Sequence, residues 1–532
     1  MAYDDILLKL GEFGRYQQRI YFLLCLPAMS CALHKLIGVF LNLKTQYRCA
    51  LPNEQHLTHF SPLNDTLLSL SYPWDPLKKA YSSCERYDAN FTDEYYTGGV
   101  AANLTVPCTR WLFEQEWNST MSEWDLVCDK AWYRGTSDAC LMIGVLLGSL
   151  IFGDFSDRFG RKPTFLISII IMDVFGMLAA VAPDFWTFTA CRLIVGASTS
   201  GVFLVAYVLA LEMVGPSKRI IAGSLIHMFF SIGFMLIAAL AYYVHDWRKL
   251  DFLVTVPGLA YLPYYWFIPE SARWLISKGR HKEAKLIIQA VAKENRVILE
   301  ENVMDQLLAP TAEEEEKLKL ESDDTKPSIL DLFKHPNLFK KSVIIFFLWF
   351  VCNLIYYGLS WNTSNLGGNM YINFVISGLV EIPAYTLNML CLDKFGRKMF
   401  LCPYLILSGL CLTMTIFVPV EYTSVSIVLA MFGKFFITGA YGAVYVFSAE
   451  QFPTVIRNIG IGAGSTIARL GGILASYTSV LADIWKPFPF VLFGVLSLIA
   501  GILCLLLPET RGRKLPESIA DGENFGRKKS KL

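Results

Sequence analysis

Charge is scarce in this chain: of 532 residues, 17% are charged and 54% are hydrophobic, whereas a soluble protein carries roughly 25% charged residues. That deficit excludes an ordinary water-soluble globule. CxxC pairs, metal-type His spacings, a glycine-rich phosphate loop and a catalytic triad pattern are also missing, so no metal, cofactor or enzyme activity is expected. The formal net charge of +1 gives no case for a nucleic-acid partner. Residues 1–17 hold Asp4, Asp5, Lys9, Glu12 and Arg15, with no short apolar core and no small-residue cleavage site. They are expected to form a cytosolic amphipathic segment, not a cleaved signal peptide.

What is abundant is apolar sequence in runs of about 20 residues, each long enough to cross a hydrocarbon layer about 30 Å thick. Twelve runs stand at 18–44, 136–156, 164–182, 185–209, 219–243, 251–268, 341–361, 371–392, 399–419, 424–447, 457–482 and 487–507. They predict an all-α membrane protein embedded in a lipid bilayer. The basic residues Arg158, Arg161, Lys162, Lys218, Arg219, Lys394, Arg397, Lys398 and Arg457 fall in loops on one side, as do those of the tail 508–532. That side, with both termini, is expected to be cytosolic.

Two loops are large. Residues 45–132 lie on the expected external side and hold Cys49, Cys84, Cys108 and Cys128, which allow three disulfide pairings. The same loop carries glycosylation sequons at Asn64, Asn90, Asn103 and Asn118; a fifth, at Asn362, abuts a span and is read as fortuitous. The loop 275–340 is expected to be cytosolic, with short helices around 283–292 and a solvated acidic run at Glu313–Glu316. The nine other cysteines are scattered through apolar runs and are read as small packing residues.

The chain also repeats itself. Pro269-Glu-Ser271 returns as Pro508-Glu-Thr510, Asp157-Arg-Phe-Gly-Arg-Lys162 as Asp393-Lys-Phe-Gly-Arg-Lys398, and Glu212 with Arg219 as Glu450 with Arg457, at offsets of 239, 236 and 238. Two homologous halves, 136–268 with the first helix at 18–44, and 341–507, predict two pseudo-symmetric six-helix bundles with a site where they meet.

The stretch Gly153-Asp-Phe-Ser-Asp-Arg-Phe-Gly-Arg-Lys162, with Arg192, resembles the major facilitator superfamily. Glu123-Trp-Asp-Leu-Val-Cys128, Pro269-Glu-Ser-Ala-Arg-Trp-Leu-Ile276, Glu450-Gln-Phe-Pro-Thr-Val-Ile-Arg-Asn458 and Leu507-Pro-Glu-Thr510 narrow the likeness. They are similar to the organic cation, anion and zwitterion transporter family. The resemblance implies a monomeric twelve-helix carrier at the plasma membrane that takes small organic ions by alternating access. It implies that Asp157, Arg161, Glu212, Arg219, Asp393, Arg397, Glu450 and Arg457 form gating ion pairs, with Glu212–Arg219 and Glu450–Arg457 among them.

Ionisable groups inside spans are costly and usually functional. Arg469 lies mid-way along the eleventh run, at a position that is acidic in the family's cation branch and basic in its anion and carnitine branches. Its planar guanidinium matches a carboxylate. Lys35, beside His34, and His227 match cavity positions, and Asp138 is a plausible partner for Lys35. Glu381 either receives a substrate amine or braces helix packing; the bracing role is favoured. Phe203, Phe230, Trp349, Tyr356, Tyr441 and Tyr445 match positions lining the central cavity, where ring faces can hold an ammonium. Cys31 and Val202 stand where the carnitine branch has asparagines, so sodium coupling of that kind is not expected and the coupled ion stays open. The leading expectation is therefore a carboxylate-bearing anion or zwitterion, carnitine-like or derived from an amino acid. An organic cation with Glu381 or Asp138 as counter-ion is the alternative, and a non-transporting receptor a remote one.

Overall fold

The computed structural model describes residues 2–54, 56–57, 60–76, 80–298, 329–483, 485–513 and 515–526. The acidic run Glu313–Glu316 and the tail residues Lys514, Arg527, Lys528, Lys529 and Lys531 lie outside them. Among the described residues, ten helices are long and apolar enough to cross a membrane: Arg15–Leu41, Cys128–Phe159, Arg161–Ala180, Phe185–Met213, Pro216–Tyr243, Pro336–Trp361, Met370–Phe395, Arg397–Phe417, Thr423–Gln451 and Thr454–Leu481. These are spans 1–5 and 7–11. Span 6 is broken into Trp247–Thr255, Val256–Tyr261 and Tyr264–Phe267, as Pro257 and Pro263 remove the donors a continuous helix needs. Span 12 is the shorter helix Phe488–Cys504.

Local chemistry sets the breaks. Gly160 and Gly396 have φ of 112° and 97°, a region where a side chain is strained, so the chain can turn sharply between spans 2 and 3 and again between spans 8 and 9. Asp184 starts span 4 by accepting from the Trp186 and Thr187 amides at 2.9 and 3.0 Å. Within the first bundle, spans 2 and 4 touch backbone to backbone. A β-carbon on Gly144 would lie 1.9 Å from the Leu193 carbonyl oxygen, and one on Gly196 2.0 Å from that of Leu141. Outward-facing Leu150, Ile151, Ile170, Val174, Val428 and Ile502 are exposed, an apolar surface that suits lipid.

The described residues of 45–132 form a small domain on one end of the bundles, here the loop face. It contains three two-stranded antiparallel sheets: Tyr47–Cys49 with Trp111–Phe113, Trp74–Asp75 with Ala80–Tyr81, and Glu85–Tyr87 with Thr105–Pro107. Of the three pairings open to the four cysteines, the structure has Cys49–Cys108 and Cys84–Cys128. Arg48 is buried and grips Glu54 through two bonds of 2.6 and 2.7 Å. The domain is anchored by Trp117 Nε1 to the Phe40 carbonyl at 3.1 Å and by Trp247 Nε1 to Glu123 at 2.6 Å. Asn64, Asn90, Asn103 and Asn118 are all exposed. Asn362 is buried and bonds the Gly358 carbonyl and the Thr478 hydroxyl, which leaves no room for a glycan.

The opposite end is the motif face. There the helices Ala2–Lys9 and His281–Asn295 pack against the first bundle, through Tyr16 N to Asn295 Oδ1 at 3.0 Å and Arg19 to Glu294 at 2.8 Å.

Candidate functional site

The halves meet in a layer of aromatic rings. From the first bundle, Phe203 of span 4 packs against Phe230 at 5.8 Å and His227 at 5.6 Å, both of span 5. From the second bundle, Trp349 of span 7 meets Tyr445 of span 10 at 4.2 Å, and Tyr356 meets Tyr441 at 5.7 Å. His227 reaches across to Tyr385 at 5.3 Å. Helical spacing on spans 7 and 10 aligns these rings on one face.

Four cations and acids stand in or beside this layer, and they are not alike. Arg469 of span 11 is half-buried among Tyr357, Tyr441 and Tyr445. Its Nε is buried without a hydrogen-bond partner, and among the described residues no acid pairs with it. Lys35 lies 5.6 Å from the Phe203 ring and 6.0 Å from that of Phe230, again with no acid at pairing distance among the described residues. Lys35 and Arg469 are close enough to repel one another. Glu381, by contrast, is fully buried and occupied: Lys434 pairs with it at 3.1 Å and Ser231 donates to it at 2.7 Å. The Lys434 ammonium also sits 3.6 Å from the centre of the Tyr356 ring.

Asp138 does not pair with Lys35. Arg192 holds it at 2.8 Å and Asn42 donates to its other oxygen at 3.0 Å, so the expected Lys35 partner is already taken. The gating pairs are also rearranged. Glu212 pairs with Arg161 at 3.2 Å and Glu450 with Arg397 at 3.0 Å. Arg161 also contacts Asp157, and Arg397 contacts Asp393 at 2.9 Å. Arg219 instead turns to Asp4, and Arg457 to the Thr454 hydroxyl at 3.2 Å. Glu270 and Glu509 complete each cluster. Glu270 accepts from the amides of Arg161 and Lys162 at 2.9 and 3.2 Å, and Glu509 from those of Arg397 and Lys398, each at 3.1 Å. A carboxylate over the positive end of a helix explains why Pro-Glu-Ser and Pro-Glu-Thr repeat.

Each motif-face cluster is confined to its own half. Between described residues, the ion pairs that join the halves are on the loop face: Asp483 with Lys44 at 2.7 Å and with Arg134 at 2.6 Å. Burial favours the neutral form of Asp483, but Arg134 and Lys44 prevail and hold its carboxyl below the usual range.

A family profile described as "Sugar (and other) transporter" matches residues 86–520. The chain is 51% identical to "Organic cation transporter protein" of Drosophila melanogaster, over 99% of this chain and 96% of that one. It is 34% identical to "Solute carrier family 22 member 3" of Rattus norvegicus, over 99% and 96%. The chain belongs to the organic cation, anion and zwitterion transporter family of the major facilitator superfamily. Its fold is similar to that of "the MFS (major facilitator superfamily) proton:xylose symporter XylE bound to 6-bromo-6-deoxy-D-glucose", with a TM-score of 0.60, 17% identity and coverage of 94% of this chain and 98% of that one. As a member of a family of transporters and not of enzymes, it is a multi-pass membrane protein that carries small organic substrates.

For such a transporter, sequence reasoning missed Lys434, Tyr207 and Asn353. Lys434 lies inside the tenth apolar run, so the rule that singles out Arg469 applies to it equally. Tyr207 meets His227 at 5.8 Å. Asn353 donates to the Tyr441 hydroxyl at 2.9 Å and would fix that phenol's direction.

Proposed function

We propose that this chain is a plasma-membrane carrier, with both termini cytosolic, and that the ion it moves bears a cationic nitrogen. The observation that carries the reading is the aromatic layer where the bundles meet, with Phe203, Phe230, Trp349, Tyr356, Tyr441 and Tyr445 as its walls. Ring faces attract alkylammonium groups and tolerate varied apolar bodies. The names of the relatives, 51% and 49% identical and called organic cation transporter and organic cation transporter-like protein, favour this reading over the carboxylate expectation. Neither Glu381 nor Asp138 is free to serve as counter-ion, because Lys434 and Arg192 hold them. The nitrogen would rest on rings alone.

A second reading has its own support. Arg469 and Lys35 lack acidic partners among the described residues, and two unpaired cations favour a carboxylate. A zwitterion with a quaternary nitrogen and a carboxylate suits both features. The two readings separate by uptake of radiolabelled propyltrimethylammonium and of γ-trimethylaminobutyrate, which adds a carboxylate to it. The first compound is expected to be carried, and Phe203→Ala and Tyr441→Ala to weaken its uptake roughly 3- to 30-fold. Arg469→Ala at normal surface expression lowers uptake of the carboxylated compound alone, roughly 10- to 100-fold, if the second reading holds. Uptake of neither compound would refute both.

On this reading the Asp483 ion pairs hold the external face closed, and no ion pair between described residues bridges the halves on the cytosolic side. Substrate shifts the balance between the two states by its differential affinity for them.

A further inference from the structure

Among the spans of the first bundle, three buried titratable groups have unpartnered atoms and take no part in the ring contacts of the aromatic layer. Asp173 of span 3 is 3% exposed, and neither of its carboxylate oxygens has a hydrogen-bond partner. Asp251 of span 6 is 2% exposed with Oδ2 unpartnered, and His34 of span 1 is 1% exposed with Nε2 unpartnered. Arg192 of span 4 joins His34 to Asp138. Its Nη2 holds Asp138 at 2.8 Å, its Nη1 donates to the His34 carbonyl at 3.2 Å, and its charge is felt at both the His34 ring and Asp251.

The backbone is cut away to admit these acids. A β-carbon at Gly258 would lie 1.8 Å from Asp173 Oδ1, and one at Gly38 2.1 Å from Asp138 Oδ1. Cys31 and Tyr261 face Asp173, Cys191 faces Asp251, and Lys35 stands beside Cys31 one turn along span 1. The first bundle thus holds three such acids, Asp138, Asp173 and Asp251, and two buried cations beside them: Arg192 pairs with Asp138, and Lys35 faces the rings of Phe203 and Phe230. Asp138 already neutralises Arg192, so neither Asp173 nor Asp251 has an ion-pair partner among the described residues. An unpaired carboxylate buried at membrane depth is costly, and a bound proton removes the charge. There is also a way in. A polar cleft on the loop face, lined by Asn42, Lys44, Arg134 and Asp483, has Asp138 in its wall, and the same Asp483 joins the two halves.

We propose that Asp173 and Asp251 are proton-binding sites, loaded from loop-face water by way of Asp138 and His34, and that their loading is coupled to the transport cycle. On loading, water gives up a proton and an O–H bond forms on the carboxylate. On unloading, that bond breaks and the proton returns to water on the other face. The coupling rests on the carrier reading; the proton binding does not.

Two measurements on the full chain in liposomes test the proposal. In infrared spectra near neutral pH, the wild type is expected to show the carbonyl stretch of a protonated carboxylic acid, reduced in Asp173→Asn and in Asp251→Asn. Radiolabelled propyltrimethylammonium or γ-trimethylaminobutyrate, whichever exchanges, is expected to accumulate when the loop face is acid, by up to about tenfold per pH unit for one proton per substrate. Both variants are expected to keep exchange of labelled for unlabelled compound while losing the accumulation. A wild type lacking the infrared band, or one that exchanges but ignores the pH gradient, overturns the proposal. Absence of exchange for both compounds counts against the substrate class instead, and the infrared band then decides the proton site alone.

Discussion

The two halves carry the same clusters at their motif-face ends and different charges inside. Arg161, Glu212 and Glu270 in the first half have their counterparts in Arg397, Glu450 and Glu509, down to the amides each glutamate accepts from. In the interior, the second half neutralises its buried acid, Glu381, with Lys434. The first half leaves Asp173 and Asp251 without an ion-pair partner among the described residues. Helix ends pose the same problem in both halves, namely amides aimed at nothing and a sharp turn at a glycine, so one solution persists. Interiors are free to diverge, and here one became a braced wall and the other a set of exchangeable acids.

The largest effect should come from breaking the braced wall. Lys434→Ala leaves Glu381 charged, buried and alone, a loss of about 3–5 kcal/mol. Thermal unfolding in detergent should show a lowered transition and surface expression should collapse. Replacing both partners at once, Glu381→Gln with Lys434→Met, should restore most of the stability, since a neutral pair demands no counter-charge. The contrast with Asp173→Asn, which removes no partner and should leave unfolding nearly unchanged, tests the difference between the halves directly. Equal destabilisation by the Lys434 and Asp173 changes would erase it.

A smaller and symmetric effect is expected at the repeated clusters. Glu270→Gln and Glu509→Gln each weaken charge-assisted bonds to the start of a helix, at about 1–2 kcal/mol apiece. The two variants should lower the unfolding transition by similar amounts. A loss confined to one half would mean that the clusters share a sequence but not a task.

Much of this arrangement was legible beforehand, for physical reasons. A span must be apolar for about 20 residues whatever it contacts, and the duplicated glutamates mark themselves by recurring. Partner choice was not legible. Glu212 and Arg219 are seven residues apart, but Pro216 opens a turn between them, and Arg219 faces the N-terminal helix and Asp4. Asp138 and Lys35 share a neighbourhood, but Arg192 takes the carboxylate. Lys434 was detectable as a charge, yet nothing along the chain ties it to an acid 53 residues away. The strands of the loop domain, two or three residues each, are too short to set up an alternating pattern.

The last and smallest effect concerns the faces. Asp483 crosses between the halves, and Arg134 and Lys44 keep its carboxyl below the usual range against the pull of burial. A depressed carboxylate stabilises the state in which it is paired at pH above its ordinary value, and that contribution is lost as pH falls through the depressed one. Closure of the loop face should therefore weaken in acid and be indifferent to pH near neutrality. With Lys44 half-exposed and Asp483 itself part-exposed to water, the contribution is about 1 kcal/mol or less. Asp483→Asn should give the acid behaviour at every pH, read as faster labelling of a cysteine placed at Ser479 by a membrane-impermeant thiol reagent. The same substitution should leave labelling at the motif face to rise or fall in the opposite sense, because the halves rock as units. If loop-face labelling is unchanged by Asp483→Asn and by acid alike, these ion pairs do not set the closure, and the helix packing between spans 2 and 11 holds that face shut by itself.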